Sequence, residues 1–303
     1  MITCDLGSNT LRILEFDCEK RVRIKEFERV VRTAQNLYKT QMISIESQKR
    51  ILDALDEASK LFDFSCDDVF CVTTEALRQA TNSKEVIQII KDKFDLEFKI
   101  IDGQEEARLT LLGIESGLED AGIKSDNYVM MDLGGGSTEI SFKKEGKTIS
   151  KSFSFGIVTC AERYKTIDTI SKNIAHDTKQ IQEFIEQNHI DIKSYIRFVA
   201  TAGTPTTVAS FVEGMPYNSY DYKKINGKIL HVKDFRNSLE KLLKLEESER
   251  EFWVGTNRSD LVCAGILIVQ DIMNLLGFSE CTVIDNGLRE GLAISKCNTK
   301  AIC

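Results

Sequence analysis

Two stretches of this chain carry the same short pattern. MITCDLGSNTLRILEFD opens it, and YVMMDLGGGSTEISFKK recurs from Tyr128. Each runs through apolar β-type residues into Asp-Leu-Gly, then a polar glycine-rich turn, then further β-type residues. Asp5-Leu6-Gly7 corresponds to Asp132-Leu133-Gly134, and Thr10 stands at the offset of Ser137. A strand–turn–strand unit met twice in 303 residues, a length beyond one ordinary core, predicts an internal duplication and two domains. We place domain I at 1–122 and domain II at 123–286, with a C-terminal helix over 287–303 that can pack back on domain I.

Between these repeats, strand-like and helix-like segments alternate, which argues α/β. SIESQKRILDALDEASKLF has helical apolar spacing, VFCVTT reads as a buried strand, and EEARLTLLGIESGL reads as a helix. In TAGTPTTVAS a strand should end at Gly203-Thr204, with Pro205 as the first helical residue. The longest apolar run, LVCAGILIVQ, is short for a membrane span, and the first residues carry no basic flank or leader pattern. The expectation is a cytoplasmic protein. Nine cysteines without a C-x-x-C pair are expected to be free thiols in a reducing compartment. A net charge of -7 argues against nucleic acid and membrane surfaces as partners. Three histidines are too few for a His-rich metal centre, and His176-Asp177 reads as a solvated pair on a helix.

Glycine-rich turns let backbone amides approach anionic oxygens, and neighbouring hydroxyls add donors. Here they are Ser8, Asn9 and Thr10 in the first turn, and Gly134, Gly135, Gly136, Ser137 and Thr138 in the second. Neither is a Walker or dinucleotide sequence. Either alone reads as a hairpin turn; two copies behind Asp5 and Asp132 favour an anionic ligand. Gly203 and Thr204 open a helix, where free amides make a further anion site, although a plain strand-to-helix junction has the same sequence. In IIDGQEEARL, Asp102 can cap a helix and Glu105 can close a capping box. Glu106 is left over, a carboxylate able to orient and deprotonate water. Arg108 would pair with an acid or a phosphate. Arg78, in TTEALRQATN, is expected in a first helical turn, where a cation suits the dipole poorly and so points to a ligand. Arg12 and Arg289 read equally as ligand cations or salt-bridge partners. Tyr217, Tyr220 and Tyr222 read as a surface loop, with base stacking as the alternative.

The runs DLGSNTLR, TTEALRQATN, DGQEEARL, DLGGGSTE, TAGTPTT, RSDLVCAG and DNGLREGL, in this order from Asp5 to about Gly291, resemble the exopolyphosphatase/guanosine pentaphosphate phosphohydrolase (Ppx/GppA) family. The resemblance implies two RNase H-like α/β domains of the actin, sugar-kinase and heat-shock ATPase superfold, with the active site in the interdomain cleft. It implies hydrolysis of terminal phosphoanhydride bonds in inorganic polyphosphate or guanosine pentaphosphate. It assigns Glu106 as the base, and Asp132 and Glu139, with Asp5, to Mg²⁺ or Mn²⁺. The two turns and Arg78 would contact phosphate. Longer members carry an additional helical region after GLREG, so a short form is expected to favour shorter chains; a homodimer is compatible with it. An ATP-dependent kinase and a non-catalytic nucleotide-binding scaffold are the other readings of this superfold.

Overall fold

The computed structural model describes residues 1–66, 68–124 and 126–300. Cys303 and the last residues of the expected 287–303 segment lie outside the described residues. In chain order the elements begin with β1 (Ile2–Leu6), β2 (Thr10–Asp17), β3 (Val22–Val30), α1 (Leu37–Thr40), α2 (Ile45–Ala58), β4 (Val69–Thr73), α3 (Glu75–Gln79), α4 (Ser83–Phe94), β5 (Phe98–Ile100) and α5 (Gly103–Asp120). The second half follows with β6 (Asn127–Leu133), β7 (Thr138–Lys144), β8 (Lys147–Phe153), α6 (Ile157–Tyr164), α7 (Ile167–Gln187), β9 (Phe198–Thr201), α8 (Gly203–Val212), α9 (Tyr222–Ile225), β10 (Lys228–His231) and α10 (Val232–Lys244). It ends with α11 (Glu247–Val254), α12 (Ser259–Leu276), β11 (Glu280–Val283) and α13 (Leu288–Lys300).

The contacts divide the chain into unit 1, Met1–Gly113 with Asn286–Cys303, and unit 2, Ile114–Asp285. The division falls inside α5, before the expected boundary at 122. Unit 1 holds a five-stranded sheet in the order β3-β2-β1-β4-β5. β1 to β3 pair antiparallel, and β4 and β5 add parallel to β1. Unit 2 repeats this order as β8-β7-β6-β9-β11 and adds β10 antiparallel at the edge. Both are RNase H-like sheets, so the duplicated turn is the β1–β2 hairpin in one unit and the β6–β7 hairpin in the other.

β1 is buried along its whole length, as expected for a central strand covered on both faces. Its Thr3 hydroxyl donates to the Arg289 carbonyl of α13 at 3.1 Å. α13 buries Ala293, Ile294 and Cys297 against Leu14 and Phe16, and Leu288 and Leu292 against Val72, Ile101 and Leu109. At roughly 1.5–3 kcal/mol for each fully buried large apolar side chain, this face makes α13 part of the unit 1 core. α13 also crosses α5 closely. A Cβ on Gly291 would lie 1.7 Å from the Leu109 carbonyl oxygen, and one on Gly113 would lie 2.1 Å from the Gly287 carbonyl oxygen. Gly291→Ala is therefore expected to destabilise unit 1 by about 3 kcal/mol, since backbone must move to admit the methyl. Urea titration followed by circular dichroism checks this, and an unchanged midpoint would show that the two helices part freely.

In unit 2, α7 presents Ile170, Ile174, Ile181 and Phe184 to its core at helical spacing. α12 is apolar around most of its circumference and is long and apolar enough, by length and composition, to cross a membrane. Most of its residues are buried inside unit 2, which makes it a core helix here. Asp177 corrects the expected solvated pair. His176 is exposed, but Asp177 is 3 % exposed and accepts from Arg163 Nη1 at 2.7 Å and from the Tyr164 hydroxyl at 2.9 Å. It ties α6 to α7, and a carboxylate buried in this way has to be paired. Burial, followed by the Asp177 charge, pushes the neighbouring Cys160 thiol up to about 12, which leaves it unreactive.

The free-thiol expectation fails for one pair: Cys18, after β2, is disulfide-bonded to Cys297 in α13. Among the described residues the remaining cysteines are free, and all but Cys66 are buried.

Candidate active site

In unit 1 the first turn is closed by the Gly7 N–H donating to the Thr10 carbonyl at 3.0 Å. In unit 2 the Gly134 N–H donates to the Ser137 carbonyl, also at 3.0 Å. The repeat seen in the sequence is thus a repeat of backbone geometry. It extends to register: Asp5 opposes Arg12 across the first hairpin, and Asp132 opposes Glu139 across the second. The same position carries a cation in one unit and a second carboxylate in the other.

The first turn is buttressed from one side. Val31 and Arg32 N–H groups donate to the Asn9 carbonyl, and the Ala34 N–H donates to the Ser8 carbonyl, each at 2.8 Å. Ser8 and Asn9 are buried, and Asn9 Oδ1 and Thr33 Oγ1 are buried without a hydrogen-bond partner. Buried polar atoms are normally satisfied, so this pair marks a place completed by water or a ligand. The segment Arg32-Thr33 was not singled out in the sequence; its signal is a polar pair following an apolar β-run.

Glu106 lies in the first turn of α5 and is 7 % exposed. Asp102 caps the helix as expected, accepting from the Gln104 and Glu105 N–H groups at 3.0 and 2.9 Å. Glu105 does not close a box. Its carboxylate is taken by Arg108 in an exposed pair at 2.7 Å, which also holds its pKa below the usual carboxylate range. Arg78 donates from Nη1 to Glu106 Oε2 and to the Ile101 carbonyl, both at 2.7 Å. Arg78 is the fourth residue of the five-residue α3, within one turn of both its ends, so the helix dipole gives no argument for a ligand. Its importance comes instead from the ion pair with Glu106. Burial alone would lower the Arg78 pKa, but Glu106 and Glu75 offset this and leave it raised, so the arginine stays charged.

The other arginines take structural roles. Arg12 pairs with Glu28 at 3.2 Å. Arg289 is buried and donates to Glu26 and Glu290.

In unit 2, α6 packs directly behind the glycine turn. Ile157 and Val158 N–H groups donate to the Gly134 and Gly135 carbonyls at 3.0 and 2.8 Å, and a Cβ on Gly156 would lie 2.5 Å from the Gly134 oxygen. The carbonyls are thereby turned inward to α6. Thr138 departs from its expected role: its hydroxyl donates to the Phe155 carbonyl at 2.7 Å inside β7. Glu139 is 1 % exposed and accepts from Ser152 Oγ at 2.6 Å. Asp132 is half-buried and lies between Glu139 of β7 and Thr201 of β9 in register. Asp132 and Glu139 are hard oxygen donors at directly opposed positions. Among the described residues no group of three or more His, Cys, Asp or Glu gathers as a metal cage. A two-carboxylate set suits Mg²⁺ or Mn²⁺ keeping several of its waters, and not a dehydrated Zn²⁺.

α8 begins beside Asp132, at Gly203, so Pro205 is its third residue and not its first. Ala202, before it, has φ 73° and ψ -176°, a region that glycine alone enters readily. Such strain costs on the order of 1–3 kcal/mol and is concentrated where backbone is aimed at a ligand. The Thr204 side chain packs on Gly265 of α12, where a Cβ would lie 2.1 Å from Thr204 Oγ1, and that oxygen is buried without a hydrogen-bond partner. The RSDLVCAG run starts α12, and its Arg258 stacks on Tyr217, centroid distance 5.3 Å, and donates to Thr207 Oγ1 at 3.3 Å. Tyr220 donates to Asp285, and all three tyrosines of the expected surface loop are half-buried.

The model of the Ppx/GppA phosphatase family matches residues 20–300. The chain belongs to this family. The match starts after the first turn and covers Arg78, Glu106, the second turn and α8. The family places the chain among phosphatases. A Mycobacterium tuberculosis protein named Exopolyphosphatase 2 is 25% identical over 96% of this chain and 96% of its own length. A Fusobacterium nucleatum protein named Bifunctional 3-dehydroquinate synthase/phosphatase is 24% identical over 93% of this chain, which spans only 44% of that relative. The crystal structure of the Aquifex aeolicus Ppx/GppA family member is 26% identical, covers 99% of this chain and 97% of its own, and superposes with a TM-score of 0.72. Ppx/GppA membership thus rests on nearly the whole chain and on the fold of both units.

Proposed function

We propose that this Ppx/GppA member is an exopolyphosphatase, releasing orthophosphate from the end of inorganic polyphosphate with Mg²⁺. The observation that carries the reading is the buried Glu106 at the start of α5, held by Arg78, in the unit that also bears the first phosphate-type turn. Support comes from the near end-to-end likeness to the protein named Exopolyphosphatase 2. Unit 1 bears Glu106 and the first turn; unit 2 bears the second turn, the α8 amides, Asp132 and Glu139. Glu106 takes a proton from water as the water oxygen bonds to the terminal phosphorus. The bridging P–O bond breaks, and the shortened chain leaves with the electron pair. Backbone N–H groups of Ser8 to Thr10 and Gly135 to Ser137 bind the phosphate oxygens and orient the terminal group. Asp132 and Glu139 would hold Mg²⁺, which when bound neutralises charge on the phosphate oxygens.

A phosphate-release panel tests this, with polyphosphates of several lengths and guanosine pentaphosphate, each with Mg²⁺, Mn²⁺ or chelator. The expected result is release from polyphosphate with Mg²⁺ and loss of release with chelator. Release from guanosine pentaphosphate alone replaces polyphosphate as the substrate, and release from neither sinks the hydrolase reading. Phosphate found on an added acceptor only with ATP would make the protein a kinase.

A further inference from the structure

Glu75, the first residue of α3, grips the edge of Arg78 opposite to Glu106. Its Oε2 accepts from Arg78 Nε at 3.1 Å and from Nη2 at 2.8 Å, while its Oε1 is fixed by Gln79 Nε2 at 2.8 Å. On the other side, both Nη1 hydrogens are engaged, one by the Ile101 carbonyl and one by Glu106. A guanidinium has five N–H groups in one rigid plane. Four are therefore committed here, and one Nη2 hydrogen is left. The Glu75, Arg78 and Glu106 side chains are only 12 %, 17 % and 10 % exposed, so water competes weakly for these bonds.

We propose that Glu75 is a positioning residue: it fixes the plane of Arg78 so that Nη1 orients the Glu106 carboxylate, leaving one Nη2 hydrogen for an anionic oxygen. The proposal rests on the reading of Glu106 as the base. A plain structural role for Glu75, as an acid in a first helical turn with an i,i+3 partner, is worth a few tenths of a kcal/mol and would act on stability alone. Positioning acts through Arg78 and on turnover, because small misplacement of a reacting group is costly.

The test is a double-mutant cycle on the full chain with Glu75→Ala and Arg78→Lys, reading kcat, KM and the thermal midpoint. Lysine keeps the charge of Arg78 but lacks its fork. Glu75→Ala is expected to lower kcat about tenfold to hundredfold, with KM changed less than about threefold and the thermal midpoint lowered by no more than about 2 °C. In the Arg78→Lys background the same change should alter kcat by less than about twofold, since its route is already broken. An equal loss of kcat in both backgrounds, or a loss that tracks the thermal midpoint, overturns the proposal. If the wild-type protein releases no phosphate from any substrate, the hydrolase reading fails by itself. The grip is then read without activity from the Arg78 Nε–Hε resonance in ¹⁵N-arginine-labelled protein. That signal should be protected from solvent exchange in wild type and lost in Glu75→Ala; equal protection in both overturns the proposal.

Discussion

Replacing Glu106 with glutamine should lower kcat for phosphate release by about 10²–10⁴-fold, the range that a positioned general base contributes. KM should stay within about threefold, because the turns and amides proposed to bind the phosphate oxygens are untouched. Glutamine keeps the shape of the side chain and an oxygen to accept from Arg78 Nη1, which now bonds Glu106 Oε2 at 2.7 Å. What it loses is the ability to take a proton. Arg78 retains Glu75 as its counter-charge, so the variant should fold. Steady-state phosphate release with a matched binding measurement checks this. Near wild-type turnover would remove Glu106 from the chemistry, and loss of binding with unchanged kcat would reassign it to substrate recognition.

The second large effect concerns the Cys18–Cys297 disulfide. It joins residues separated by 279 positions, with Cα atoms 5.4 Å apart, and pins the last turns of α13 beside β2. Arg21 adds a hydrogen bond to Asn298 at 2.9 Å across the same seam. In the chain-entropy view, a cross-link closing so long a loop stabilises by about 4–5 kcal/mol, chiefly by restricting the unfolded chain. Dithiothreitol, or Cys18→Ser, is therefore expected to lower the melting of unit 1 by on the order of 10–20 °C. Unit 2 supplies an internal control, because the single tryptophan, Trp253, lies in its α11. The circular-dichroism transition should fall well below the Trp253 fluorescence transition. Identical melts with and without reductant would show that the bond contributes nothing to the folded protein. Since α13 also packs on α5 through Gly291, reduced protein should lose phosphate release at temperatures where the oxidised protein keeps it.

Much of the fold was legible because it is written in neighbouring residues. The alternation of strands and helices, the two Asp-Leu-Gly hairpins and the Asp102 cap each depend on local backbone needs and on apolar period. Equal offsets around the two turns became equal hydrogen bonds, Gly7 to Thr10 and Gly134 to Ser137. Local rules also misled in identifiable ways. Glu105 fits a capping box by spacing, but Arg108 three residues on offered a charged partner. Arg78 does follow the start of α3 closely, but α3 is only five residues long, so the dipole argument for a ligand there fails.

By itself, then, the sequence determined two α/β units built on one repeated turn, and a leftover carboxylate in Glu106. Only the tertiary structure decided which groups meet. It brought Arg78 to Glu106 and committed the Thr138 hydroxyl to Phe155. It buried Asp177, and it joined Cys18 to Cys297. The physical reason is the same each time. A turn or a cap is satisfied by residues a few positions away, whereas a buried charge, hydroxyl or thiol is satisfied by whatever distant group the packing delivers.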